Sequence, residues 1–296
     1  MQIYMNGELR DEAKATVSVF DSGFVLGDGV WEGLRVVDGH PAFLEPHLER
    51  LFEAAKTIVL DIGLDREELT RAIYATIEAN GLDNDAHLRL MVTRGVRREP
   101  YQDPRLAVGR PTVVIVPAKS PHDPSAVERG VKLFTVHVRR GAPDVQDAKI
   151  NSHSKFNCIS ACIQANEAGA DEALMLDPHG FVATCNSTHF FIVRNGEVWT
   201  SSGKYCLGGI TRGNVIRLCH DNGIACFEKD FSLTDVYGAE EAFVTGTLGG
   251  LTPVRSVDGR ELDTPLPGPV TQRLQKLYAQ LIRTDVANRK RPEGTA

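Results

Sequence analysis

Cysteine, excess positive charge and long apolar runs are what this sequence has little of. Its six cysteines, Cys158, Cys162, Cys185, Cys206, Cys219 and Cys226, make no Cys-x-x-Cys pair among 296 residues. The common zinc-binding spacing is therefore missing, no metal site is expected, and reduced thiols in apolar surroundings are the reading. No stretch of roughly 18 apolar residues is present to cross a membrane. The opening Met-Gln-Ile-Tyr-Met-Asn-Gly lacks the apolar core of a signal peptide. A net charge of −6 gives no general field for nucleic acid or an anionic membrane. There is no internal repeat. A cytoplasmic protein with neither nucleic-acid nor membrane partners is the expectation.

What is present is an ordinary globular composition, 42% hydrophobic and 24% charged, in a chain long enough for a substantial core. Residues 2–5 alternate and run into Asn6-Gly7, a hairpin signal. Strands are expected over 16–20 and over 30–37, the latter closed by Asp38-Gly39. Between them Gly23, Gly27 and Gly29 mark a backbone that turns sharply or approaches something closely. Pro46 suits the start of a helix in which Leu48, Leu51, Phe52, Ala55 and Ile58 recur at helical spacing. Asp65 caps a second helix over 66–79, which Gly81 ends. Strands follow at 87–93 and 112–116. The loop between them, Arg94-Gly-Val-Arg-Arg98, is either plain solvated surface or a carboxylate site. Pro117, Pro121 and Pro124 mark the stretch from Pro117 to Ser125, and the linker is taken as 119–126. It separates a small N-terminal α/β domain, 1–118, from a larger strand-rich domain, 127–285. The larger domain has expected strands at 131–138, 172–176, 181–183, 190–193, 198–200, 242–244 and 252–257, and helices at 156–168, 212–221 and 270–282. Residues 286–296 read as a frayed polar tail.

Three segments carry candidate chemistry. Lys149 and Lys155 compete for the place where a strand gives way to a helix, from which a lysine reaches a pocket at the sheet's edge. Leu207-Gly-Gly-Ile-Thr-Arg-Gly-Asn-Val-Ile216 sets glycines and a threonine before a helix, where free N–H groups and the helix dipole favour a phosphate. Thr245-Gly-Thr-Leu-Gly-Gly250 adds hydroxyl donors after a strand. Each anion segment alone reads as well as plain turn chemistry. Beside a reactive lysine, the two together point to a phosphorylated cofactor.

Seven motifs then come in a familiar order: Asn6-Gly7-Glu8; Gly27-Asp-Gly-Val-Trp-Glu32; His47-Leu-Glu-Arg-Leu51; Val92-Thr-Arg-Gly95; Gly169-Ala-Asp-Glu-Ala173; Gly209-Ile-Thr-Arg212; and Thr245-Gly-Thr247 with Thr252-Pro-Val-Arg255. The chain resembles the class IV (fold type IV) pyridoxal-phosphate enzymes along residues 3–280 or so. These include branched-chain aminotransferases, D-amino-acid aminotransferases and aminodeoxychorismate lyases. The resemblance implies an α+β (α/β) two-domain fold, with a small N-terminal α/β domain and a larger C-terminal strand-rich pseudo-barrel. It implies pyridoxal 5'-phosphate held by a lysine that also moves the substrate's α-proton. It implies amino acid and 2-oxo acid substrates, and a homodimer. Arg50 of the His-x-x-Arg-Leu motif would grip the phosphate, with the N–H groups of Ile210 and Thr211 and with Thr247. Trp31 would line the substrate pocket, where the family usually has Phe or Tyr, and Leu248 would join it. Arg97 or Arg98 would meet a substrate carboxylate.

The chain also departs from the pattern. Counting back from Gly169, Ser154 takes the family's Asn position and Lys149 lies one or two residues farther upstream than usual. Lys155 falls where relatives carry Tyr, Arg or Leu near the cofactor. The count favours Lys149 as the Schiff-base lysine, with Lys155 its rival or a charged neighbour that lowers its pKa. Thr184 stands where the pattern Val-x-Glu-Gly places a glutamate beside the pyridine nitrogen, and His189 stands where the pattern has Asn. A hydroxyl is neutral and does not stabilise a pyridinium by charge, so the ring becomes a weaker electron sink. The expected function is a pyridoxal-phosphate-dependent aminotransferase acting on a branched-chain-like amino acid and a 2-oxo acid. The alternatives are aminodeoxychorismate-lyase-like or D-amino-acid aminotransferase activity, or a cofactor-binding protein with catalysis weakened at Thr184.

Overall fold

Alternation decides the first sheet. Strand β3 (Gly29–Val37) turns Val30, Glu32, Leu34 and Val36 to its buried side and Trp31, Gly33 and Arg35 to the other. After the short helix α1 (Ser22–Leu26), helices α2 (Leu44–Thr57) and α3 (Arg66–Ala79) follow, and these two cover the buried side. Their Leu48, Leu51, Leu69 and Ile73 share one core with Val30, Leu34, Leu88 and Leu90. Each such side chain, fully buried, contributes about 1.5–3 kcal/mol. With β1 (Gln2–Met5), β2 (Glu8–Asp11), β4 (His40–Pro41), β5 (Ala86–Thr93) and β6 (Thr112–Lys119), the antiparallel order is β2-β1-β6-β5-β3-β4. Asn6 and Gly7, at φ 50° and 98°, make the expected hairpin turn. In α3 the Asp65 carboxylate accepts from the Glu68 N–H and Glu68 accepts from the Asp65 N–H, a reciprocal cap that holds the helix start.

The computed structural model describes residues 1–119 and 128–292. It divides into two compact units, Met1–His122 with Ile150–Lys155 and Ile282–Ala296, and Asp123–Lys149 with Phe156–Leu281. The first unit thus draws on three separate stretches of sequence. The expected linker lies outside the described residues, apart from Lys119, which ends β6. Residues 16–20 form no strand. They carry exposed Val17, Val19 and Phe20 and have no ladder partner, so alternation alone does not make them a strand there.

The second unit holds a nine-stranded sheet of order β12-β11-β10-β13-β14-β7-β8-β9, with β15 paired to β14. The strands are β7 (Val131–Thr135), β8 (Glu172–Leu176), β9 (Val182–Cys185), β10 (His189–Arg194), β11 (Glu197–Thr200), β12 (Cys226–Glu228), β13 (Glu241–Gly246), β14 (Gly250–Val257) and β15 (Arg260–Glu261). Residues 186–188 connect β9, at the end of that order, to β10, several strands away. So short a link forces the sheet to curl back on itself, the barrel-like form the resemblance implies. Its helices are α4 (Pro143–Gln146), α5 (Phe156–Glu167), α6 (Ile210–Asp221), α7 (Leu233–Tyr237) and α8 (Pro269–Ala287). Helix α8 outruns its expected end at 282. Beyond it, inside the expected tail, Arg289 pairs with Asp285 at 3.0 Å and Arg291 with Glu78 at 3.1 Å, while residues 293–296 lie outside the described ones. Among the described residues no helix is long and apolar enough to cross a membrane and no cluster suits a metal ion. All six cysteines are free thiols.

Candidate active site

In the first unit the site is built around Trp31, which β3 turns away from the core. The segment 150–155 runs beside that strand. The Trp31 N–H donates to the Asn151 carbonyl at 3.0 Å, and the indole N–H donates to the Ser152 carbonyl at 3.1 Å. Asn151 Nδ2 donates to the Trp31 carbonyl at 2.8 Å. A carbonyl only accepts, so the amide must face it nitrogen first, which leaves Oδ1 for the Lys155 ammonium at 3.0 Å. The same ammonium lies 5.3 Å from the Trp31 ring centre. Lys155 is thus partly buried and aimed. Lys149, the other candidate, is exposed and belongs to the second unit, where its main-chain N–H donates to Asp147.

Arg89 is a residue the sequence reading missed. The residue is exposed as a whole, and its guanidinium stacks on Trp31 at 3.8 Å from the ring centre. Gly33 is paired with Arg89 across β3 and β5, and a Cβ built on it would lie 3.6 Å from the Trp31 ring, an ordinary contact. The signal was available: an arginine at the outward position of the alternating strand His-Leu-Arg-Leu-Met-Val. Arg97, expected to meet a substrate carboxylate, is instead buried. It donates to the Ser22 hydroxyl at 3.2 Å and to the carbonyls of Tyr101 and Asp103, so it holds its own loop together. Arg98 is exposed.

Arg50 sits on α2 beside a carboxylate that period-two alternation carries into the core. Glu32 is fully buried and accepts from Arg50 Nε at 2.8 Å and Nη2 at 2.7 Å. It also pairs with His47 Nδ1 at 2.7 Å. Burial pushes the Glu32 carboxyl up, but the hydrogen bonds from Arg50 and then His47 outweigh it and hold the group below its usual range. Burial also holds His47 below the ordinary histidine range, against the pull of Glu32. A neutral His47 donating to an ionised Glu32 follows. The buried carboxylate in turn fixes the Arg50 guanidinium in one orientation.

In the second unit, α6 begins at Ile210 after Gly209, which offers no side-chain cap, and its first turn has no acidic residue. The outward N–H groups of Ile210 and Thr211 and the positive end of the helix dipole suit an anion. Thr247 and Leu248 lie in the turn between β13 and β14, Leu248 exposed. Thr184 is buried on β9, and its hydroxyl donates to the Thr188 carbonyl at 2.8 Å. The turn that follows is tied to Glu172, whose carboxylate accepts from the N–H and hydroxyl groups of both Ser187 and Thr188.

Residues 29–257 match the family model for amino-transferase class IV. Over 282 residues the chain is 40% identical to a protein of Methanocaldococcus jannaschii provisionally named a branched-chain-amino-acid aminotransferase, covering 95% of this chain and 96% of that one. It is 35% identical over 288 residues to the branched-chain-amino-acid aminotransferase of Pseudomonas aeruginosa, covering 95% and 92%. Among solved structures it is similar to a branched-chain amino acid aminotransferase with pyridoxamine 5'-phosphate, with a TM-score of 0.89, 29% identity, and 95% and 94% covered. The match along most of the chain, joined to an aimed lysine and a helix start that suits a phosphate, establishes that this chain belongs to the class IV aminotransferase family.

Proposed function

We propose that this class IV aminotransferase transfers an amino group between a branched-chain-like amino acid and a 2-oxo acid, and that Lys155 holds its pyridoxal 5'-phosphate. The carrying observation is the Lys155 amine, oriented by Asn151 at 3.0 Å beside the Trp31 ring. The residues present fit two parts of the cofactor. An amine suits its aldehyde, and the start of α6, with Thr211 and Thr247, suits its phosphate, as does the oriented Arg50 guanidinium. When bound, the cofactor supplies an electron-withdrawing ring for chemistry at the amino acid's α-carbon. Lys155 would move the α-proton at Nζ. Trp31 would form an apolar wall for the substrate side chain, and Arg89, rigidified by its stack on that ring, would take a substrate carboxylate. Reduction of the holoenzyme with borohydride, followed by peptide mapping, should place the pyridoxyl group on Lys155. Label on Lys149 overturns that assignment, and no label at all overturns the use of the cofactor.

One observation favours a second reading, a cofactor-binding protein with weakened transamination. The Thr184 hydroxyl spends its proton on the Thr188 carbonyl. Its oxygen would offer a ring nitrogen lone pairs but no charge. Thr184→Glu should raise turnover with Leu as donor; an unchanged or lower rate counts against this reading. The six free thiols suit a reducing compartment, and we place the enzyme in the cytoplasm as a homodimer.

A further inference from the structure

His189 opens β10 and is only 8% exposed. It stands opposite Thr245 of β13, so the two side chains leave the same face of the sheet. The next such pair on that face, Phe191 and Phe243, stacks at 4.9 Å. The imidazole reaches the residue just before α6: a Cβ built on Gly209 would lie 2.2 Å from His189 Nε2. Gly209 has φ −67° and ψ 127°, which any residue adopts. Glycine is needed here for space, and the space is filled by the histidine ring. Thr245 is fully buried, and its hydroxyl has no hydrogen-bond partner among the described residues. Buried hydroxyls are almost always partnered. This one shares its face with a ring that touches the start of an uncapped, twelve-residue helix.

We infer that His189 and Thr245 are further ligands of the cofactor's phosphate at the start of α6, and that they set the preference for the phosphorylated over the unphosphorylated cofactor. This rests on the cofactor reading given above. The chemistry is hydrogen-bond donation: imidazole N–H and threonine O–H add to the backbone N–H groups of Ile210 and Thr211, and a phosphate has oxygens enough to accept from all of them.

Binding rather than turnover tests this. Pyridoxal 5'-phosphate and pyridoxal are titrated separately into the full chain freed of cofactor, and binding is followed by the ligand's absorbance. The proteins are the wild type, His189→Asn, Gly209→Ala and the double variant. His189→Asn should cut the preference for the phosphorylated ligand about tenfold, the effect of losing one good hydrogen bond, and leave pyridoxal binding unchanged. Gly209→Ala, whose methyl collides with the ring, should cost the wild type as much and the His189→Asn protein little more. Full preference in His189→Asn overturns the inference and leaves the cofactor reading standing. So does an equal loss for both ligands, or a Gly209→Ala loss of the same size in both backgrounds. A wild type with no preference for the phosphorylated form overturns both the cofactor reading and this inference.

Discussion

Glu32 is where the residue-level physics is most exacting. Alternation along β3 was legible in the sequence, and it places this carboxylate with Val30, Leu34 and Val36 in the core. The partners that make this tolerable were not legible as such, because nothing local says that His47 and Arg50, three residues apart on α2, point back at it. The His-x-x-Arg motif flagged Arg50 for a phosphate; its bond to Glu32 needed the fold. The proposal of Lys155 over Lys149 has a similar basis. Counting along the chain favoured Lys149, whereas Asn151 orients Lys155 through contacts that no count contains. The buried pair also sets a pH dependence. Unfolded His47 takes up a proton near pH 6.5, and folded His47, depressed by burial, does not until lower pH. The unfolded state then binds more protons, so stability falls as pH drops below about 6.5. His40, His87 and His153, each depressed chiefly by burial, act in the same direction. Glu32 is depressed too, so its contribution is lost only below about pH 4.3, as pH falls toward its folded value. His47→Gln keeps a donor for Glu32 and removes one titration. The slope of Tm against pH between about 5 and 7 should flatten in that variant. An unchanged slope would show that His47 titrates alike in both states.

At the scale of elements, α8 is held by a residue far away in sequence. The buried Glu241 carboxylate accepts from the N–H groups of Val270 at 2.9 Å and Thr271 at 2.8 Å, a negative charge at the positive end of the helix. Gly268 leaves room for it, since a Cβ there would lie 2.1 Å from Glu241 Cδ. Gly268→Ala should therefore destabilise the protein by about 1–3 kcal/mol through overpacking, read as a lower Tm. Gly169→Ala is the control. At φ 71° it meets nothing within 4 Å, so its cost is backbone strain alone, about 1–2 kcal/mol. If Gly268→Ala matches the wild type, the glycine is not there for the carboxylate. The contrast marks what sequence patterns reach. Helices α2, α3, α5 and α6 were legible because each runs for three or more turns, with the Asp65 cap marking the start of α3. Strands β12 and β15, of three and two residues, carry too little pattern to be read. The strand expected over 16–20 had the right pattern and no partner. Glu241 lies 29 residues from the N–H group it serves at Val270, beyond any local signal.

For the whole molecule, the unusual feature is where apolar side chains remain in water. Phe156, Ile159 and Ile163 are 79%, 53% and 55% exposed, at the three- and seven-residue offsets that put them on one face of α5. Scattered exposed apolar residues need no explanation, but a stripe along a helix marks a surface that is covered in use. A second copy of the chain is the occupant proposed, because a stripe of like residues is complementary to itself across a two-fold axis. Three side chains alone fall short of the roughly 800 Å² per partner that a stable interface buries. The rest of the contact must therefore come from other surface of the chain. Sedimentation velocity at micromolar concentration should show a dimer. Ile159→Glu with Ile163→Glu would place two buried charges in each half of the contact and should give a monomer with its helical signal intact. A double variant that stays dimeric would remove α5 from the interface, and a wild type that sediments as a monomer would remove the homodimer itself.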